Sequence, residues 1–169
     1  VMAPWHEAGH YFVFKNNGLQ NQNVAYVKES LNGPERELLD PNKLSEDGTV
    51  SLSAFSVSND GKYLGYGISR AGSDWSELYV KNIETGELLP DQVLWVKFSG
   101  IAWYKDGFFY SRYPKPDESN VKKGVNEHSK IYYHKIGTKQ DTDQLIYTDD
   151  KNPQWSFYAD VTDDQKILV

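Results

Sequence analysis

Short apolar runs recur along the chain, each opened by a cluster of turn-forming residues. Tyr11-Phe12-Val13-Phe14 follows Ala8-Gly9-His10, and Tyr63-Leu64-Gly65-Tyr66-Gly67-Ile68 follows Asn59-Asp60-Gly61-Lys62. Phe108-Phe109-Tyr110-Ser111 follows Lys105-Asp106-Gly107, and Ile167-Leu168-Val169 follows Asp163-Asp164-Gln165-Lys166. Aromatic and β-branched residues suit a pleated, half-buried surface, so these runs are predicted strands. Asp-Gly favours a tight hairpin because both central positions take positive φ. Apolar stretches such as Ser53–Val57 and Gly100–Trp103 precede the turns and complete the hairpins.

A second hairpin follows each of the first three. Val24–Val27 returns through Leu31-Asn32-Gly33 as Arg36–Leu39, Glu77–Val80 through Glu84-Thr85-Gly86 as Glu87–Leu89, and Lys130–His134 through Gly137-Thr138 as Asp143–Tyr147. Gly9, Gly61 and Gly107 are 52 and 46 residues apart, with Gln165 58 further on. Four-stranded units at such a period predict an all-β fold of antiparallel propeller blades. About three blades are expected, at 1–45, 46–92 and 93–150, with the next begun in 151–169. A β-sandwich, whose strands also recur between turn signals, is the alternative that periodicity leaves open. No segment shows a capped helical period. Ser111–Ser129, with Pro114, Pro116 and no apolar period, reads as a long mobile loop inserted in a blade hairpin.

Composition narrows the function classes. The net charge of −6, from 18 basic and 24 acidic side chains, comes with no basic cluster beyond Lys122-Lys123, which argues against nucleic acid as a partner. There is no cysteine, hence no disulfide framework or thiolate metal site. No stretch is apolar for the roughly 18 residues that a membrane helix needs. No signal-like segment opens the chain, and a cytoplasmic location is expected, with the periplasm as the alternative. The chain ends within the apolar run Ile167–Val169, as expected of a fragment of a longer polypeptide.

His6-Glu7-Ala8-Gly9-His10 matches the H-E-x-x-H zinc pattern, which needs a helix to bring both histidines to one face. Gly9 inside the motif and the strand-like run after it point instead to a turn with solvent-exposed histidines. Along one strand the two would stand roughly 13 Å apart. No metal or other cofactor is expected. Gly67-Ile68-Ser69-Arg70-Ala71 comes nearest to a G-x-S-x-G nucleophile elbow and lacks the second glycine. Gly65-Tyr66-Gly67, inside a strand, marks close backbone packing.

Several segments in order resemble the first blades of the prolyl oligopeptidase family. They are Gly18–Gln22, Ser56–Tyr63, Gly72-Ser73-Asp74-Trp75, Trp95-Val96-Lys97-Phe98-Ser99, Ala102-Trp103, Tyr110–Pro114, Tyr132-Tyr133-His134 and Gly137-Thr138. The resemblance runs over essentially the whole chain. It implies a seven-bladed propeller that caps an α/β-hydrolase domain carrying a Ser-Asp-His triad, so that only short proline-containing peptides reach the serine. No residue here matches the triad or the oxyanion hole, so this chain alone is expected to be inactive and the hydrolase domain to lie elsewhere. By resemblance, Phe98 matches a phenylalanine lining a substrate pocket and Asp74 an aspartate at the cleft that influences substrate preference. Phe98 also suits packing between blades, and Asp74 the cap of an Asx turn. The Ser111–Ser129 loop matches a mobile loop at the domain interface, with a sequence unlike the animal pattern. Three blades cannot close a ring, so self-association through open blade edges is expected. A stand-alone propeller-like binding module is the alternative function.

Overall fold

The computed structural model describes residues 2–116 and 126–169, so the middle of the Ser111–Ser129 segment lies outside the described residues. Strands β1 (Trp5–Glu7), β2 (His10–Lys15), β3 (Val24–Lys28) and β4 (Arg36–Leu39) form one antiparallel sheet in chain order. A second array holds β5 (Val50–Val57), β6 (Tyr63–Arg70), β7 (Ser76–Asn82) and β8 (Leu88–Val96). A third holds β9 (Ala102–Tyr104), β10 (Gly107–Arg112), β11 (Lys130–Lys135) and β12 (Gln144–Thr148). In strand pairing, Arg112 with Val96 joins the second and third arrays. Among the described residues there is no α-helix, only the 3-10 turns Pro41–Lys43 and Gln140–Thr142.

The stacking of these arrays separates a propeller from a sandwich. A sandwich has one core between two sheets; here the cores lie in series. Phe12, Val27 and Leu38 of the first array meet Val57, Leu64 and Ile68 of the second. Leu78, Val80 and Val93 of the second meet Trp103, Phe108 and Tyr110 of the third. Ala102, Phe109 and Ile131 then gather Phe157, Ala159 and Val161. The middle array is thus covered on both faces. Its strand β6 alternates Leu64, Tyr66 and Ile68 toward the first core with Gly65 toward the third array, where a Cβ would fall 2.9 Å from Ile101 Cδ1. The glycine is there because sheets approach too closely for a side chain. Trp103 completes the seam by donating its indole N–H to the Ser56 carbonyl at 3.0 Å.

The turns repeat atom for atom, although not as two-residue Asp-Gly turns. Ser58 N–H donates to Tyr63 O and Gly61 N–H to Ser58 O. Ser58 Oγ and the Lys62 N–H both donate to Asp60 Oδ1. Thr162 to Ile167 makes the same set: Thr162 N–H to Ile167 O, Gln165 N–H to Thr162 O, and Thr162 Oγ1 and Lys166 N–H to Asp164 Oδ1. Positive φ falls only at the fourth residue, Gly61 (71°) and Gln165 (60°). These are four-residue connections whose Asp locks the turn through its carboxylate. The two-residue turn with positive φ throughout is Ala8-Gly9, at 48° and 85°. At Lys105-Asp106 the positive φ sits on Lys105, and Gly107 opens β10. A Cβ on Gly107 would collide with the His134 carbonyl of β11, so the glycine serves strand pairing rather than the turn.

Candidate functional site

One end of the second and third arrays encloses an open cleft of about 630 Å³. Its walls are β5 from Ser53 to Ser56, Ser69 at the end of β6, the turn Ser73–Ser76, the connection Phe98–Ile101, and Tyr158. Asp74 and Phe98, 24 positions apart in sequence, therefore line the same space. Both are exposed: Phe98 retains 62% of its surface, and the Asp74 side chain 66%. Phe98 does not pack between sheets.

Local backbone geometry explains how each residue is presented. Ser73 N–H donates to Arg70 O, and Trp75 N–H donates to Ser73 Oγ at 3.1 Å. The turn is thus capped by Ser73, and the Asp74 carboxylate is left for other contacts. Trp95 and Phe98 take left-handed φ of 63° and 54°, a strained choice for aromatic residues that persists only where surroundings impose it. Trp95 O accepts from the Tyr113 N–H, and Ser99 Oγ from the Ser111 N–H, so the end of β10 and the residue after it pin both ends of this connection. Trp75 packs edge-on against Trp95 and Tyr113. Between Trp95 and Phe98 lies Lys97. Its ammonium stands 3.6 Å from Asp74 Oδ2, donates to Asn126 Oδ1 at 3.0 Å, and sits 5.2 Å and 5.3 Å from the ring centres of Trp75 and Phe98.

The cleft is rich in hydroxyls, yet among the described residues no serine is hydrogen-bonded to a histidine. His134 is the histidine flanked by two carboxylates, and it is fully buried. Its Nδ1 lies 2.7 Å from Asp143 Oδ1 and its Nε2 2.8 Å from Asp91 Oδ1. Carboxylates accept only, so both ring nitrogens donate and the imidazole is held as the cation. Burial pulls its pKa down, but the hydrogen bonds it donates to Asp143 and Asp91 and their charges leave it raised above 6.5. Tyr110 donates to the second oxygen of Asp143 at 2.6 Å, and burial followed by that bond pushes the phenol far upward. With no free nitrogen, His134 cannot take a proton from a nucleophile. This knot ties β8 to β11.

His6 and His10 lie on facing strands of the first hairpin, because the turn falls inside the motif; His6 pairs with Tyr11 and Glu7 with His10. His6 is exposed as expected. His10 is half-buried instead, with Nε2 3.0 Å from Gly61 O and Nδ1 3.2 Å from Glu29. The bare Cα of Gly61 makes room for its ring. The Ser111–Ser129 segment is pinned at its ends: Ser111 and Arg112 belong to β10, and Ser111 Oγ meets Ser129 Oγ at 3.0 Å. The gating assigned to that loop falls largely on residues 117–125, outside the described residues.

Sequence reasoning missed Lys97 and the His134 knot. Lys97 lies within the motif Trp95–Ser99, but its partners Asp74, Trp75 and Asn126 come from other stretches. A histidine alternating with Tyr132 on a core-facing strand is a usable signal for a buried polar group needing partners.

The family model described as "Prolyl oligopeptidase, N-terminal beta-propeller domain" matches residues 1–169. The chain is 45% identical to a prolyl endopeptidase of Elizabethkingia meningoseptica, over 100% of the chain and 24% of that protein. It is 40% identical to prolyl oligopeptidase A of Amanita bisporigera, over 94% of the chain and 24% of that protein. It superposes on prolyl oligopeptidase B from Galerina marginata, bound to a 35mer hydrolysis and macrocyclization substrate, with a TM-score of 0.88 and 33% identity, covering 99% of the chain and 26% of that protein. The chain spans about a quarter of the length of the curated relatives it matches.

Proposed function

We propose, on the premise that this chain belongs to the family of prolyl oligopeptidase N-terminal β-propeller domains, that it forms the opening blades of a propeller capping a serine-peptidase active site. In this reading the cap admits short proline-containing peptides and excludes folded proteins, and the cleft holding Phe98 and Asp74 contacts the bound peptide. Phe98 offers an apolar ring to a peptide side chain, and Asp74 a negative charge at the rim. The nucleophile, base and oxyanion hole belong to an α/β-hydrolase domain outside this chain.

The observation that carries the reading is the meeting of an exposed, conformationally strained aromatic residue and an exposed carboxylate on one cleft. Strain of that kind clusters where ligands are held. The blades take the bounds 1–45, 46–92 and 93–150, and a seven-bladed ring supplies the neighbours that these arrays lack. Leu145 and Tyr147 of β12, and Trp155 and Ile167 beyond it, are exposed where a further blade would cover them. Without that blade the same face favours self-association.

The test is hydrolysis of a chromogenic Gly-Pro substrate by the 169-residue chain beside the full-length product of its gene. Cleavage by the full-length protein alone is expected. Cleavage by the chain alone would overturn the reading.

A further inference from the structure

We propose that Lys97 is a positioning residue that holds Asp74 and Phe98 in place and sets how the cleft discriminates between cationic and anionic peptide side chains. The inference rests on the reading of this cleft as a peptide subsite.

Lys97 and Asp74 form an unequal pair. The lysine side chain keeps only 11% of its surface, whereas the aspartate keeps 66%. The cation is therefore the fixed member, and the carboxylate faces solvent and any ligand. At 3.6 Å the two are an ion pair without a close hydrogen bond, so the Asp74 oxygens remain open to other donors. What fixes the ammonium is a cage from three separate stretches. Asn126 comes from the approach to β11, Trp75 from the β6–β7 turn, and Phe98 from the connection after β8.

The same cage bears on Phe98. Its left-handed φ is imposed on a residue with a bulky side chain. The ammonium over its ring, with Tyr113 and Ser111 gripping Trp95 and Ser99 on either side, supplies the constraint such strain needs. One side chain thus governs both proposed peptide contacts, the carboxylate by charge and the ring by position.

Charge arithmetic gives the functional consequence. With Lys97 present, the rim pair is neutral. Without it, Asp74 stands as an uncompensated anion beside the bound peptide, so affinity for a cationic side chain rises and for an anionic one falls.

The experiment compares kcat/KM in the whole enzyme for three peptides identical except for Lys, Gln or Glu at the position that meets the cleft. In Lys97→Met, and equally in Lys97→Gln, which retains a hydrogen-bonding end for Asn126, the Lys-to-Glu preference should rise roughly two- to fivefold, the range of an exposed charge pair. The change should appear in KM. Lys97→Arg should keep the parent preference, and Asp74→Asn should move it the opposite way. An unmoved ratio in both Lys97 variants, or an equal loss on all three peptides, would overturn the proposal while Phe98→Ala still raised KM. If Phe98→Ala and Asp74→Asn also left KM unchanged for every peptide, the subsite reading would fall with it.

Discussion

His134 and Lys97 are both cations beside aspartates near the junction of the second and third arrays, and they differ in burial and geometry. His134 is fully enclosed, with two carboxylates within 2.8 Å and a tyrosine closing the network behind Asp143. Lys97 meets one largely exposed carboxylate at 3.6 Å, beside two aromatic rings. The buried set has a perturbed titration, the usual mark of a functional site. Its enclosure says otherwise, since both hydrogen-bond partners of the imidazole lie inside the protein. A charge whose every partner is already inside the protein does structural work, and one whose counter-ion faces an open cleft is available to a ligand.

The sharpest break of this comparison is removal of each cation in turn. His134→Ala leaves two buried carboxylates uncompensated and should cost about 3–5 kcal/mol, read by chemical denaturation. Lys97→Met should cost no more than about 1 kcal/mol by the same measurement, because the carboxylate left behind faces solvent. A similar loss in both would erase the distinction.

A pH series sharpens the comparison further. The His134 pKa is raised on folding, so its stabilising contribution is fully present below the ordinary value of 6.5 and is lost as pH rises through the elevated one. Denaturation midpoints should fall over that interval in the parent and lose this component in His134→Ala. A fall of the same size in both would remove His134 as its source.

On the cleft side, Phe98→Ala in the whole enzyme should raise KM roughly tenfold, the value of about half a buried aromatic side chain, with denaturation midpoints near the parent's. The smallest effect concerns the turn beneath Asp74. Ser73→Ala should destabilise by about 0.5–1 kcal/mol through the lost hydrogen bond to Trp75 N–H, and Asp74→Asn by less, since Ser73 and not Asp74 caps the turn. The reverse order would return Asp74 to a structural role.

Features set by near neighbours were legible in the sequence. The turn-and-strand repeat placed Tyr63–Ile68, Phe108–Ser111 and their partners as strands, and the alignment of Asn59–Lys62 with Asp163–Lys166 proved to be a repeat of hydrogen bonds. Propeller and sandwich could not be told apart by that route, because the period within a sheet is common to both and only the contacts between sheets differ. Phe98 and Asp74 entered through resemblance, and their shared cleft came only with the fold. The His134 knot joins residues separated by 9 and 43 positions, and Lys97 reaches Asn126 29 positions away. Among 24 acidic side chains, nothing local marks which two a buried histidine will meet.

The serial arrangement of the cores, with turns that repeat at Ser58–Tyr63 and Thr162–Ile167, bears on how such a chain can change length. Each array touches only the one before and the one after, so a gene duplication or deletion spanning one whole turn-to-turn period exchanges one interface for another of the same kind. Any other length shifts strands against their neighbours and breaks two interfaces at once. Viable insertions and deletions in the stacked part of this lineage should therefore come in steps of one four-stranded array, with smaller ones confined to the connections between strands.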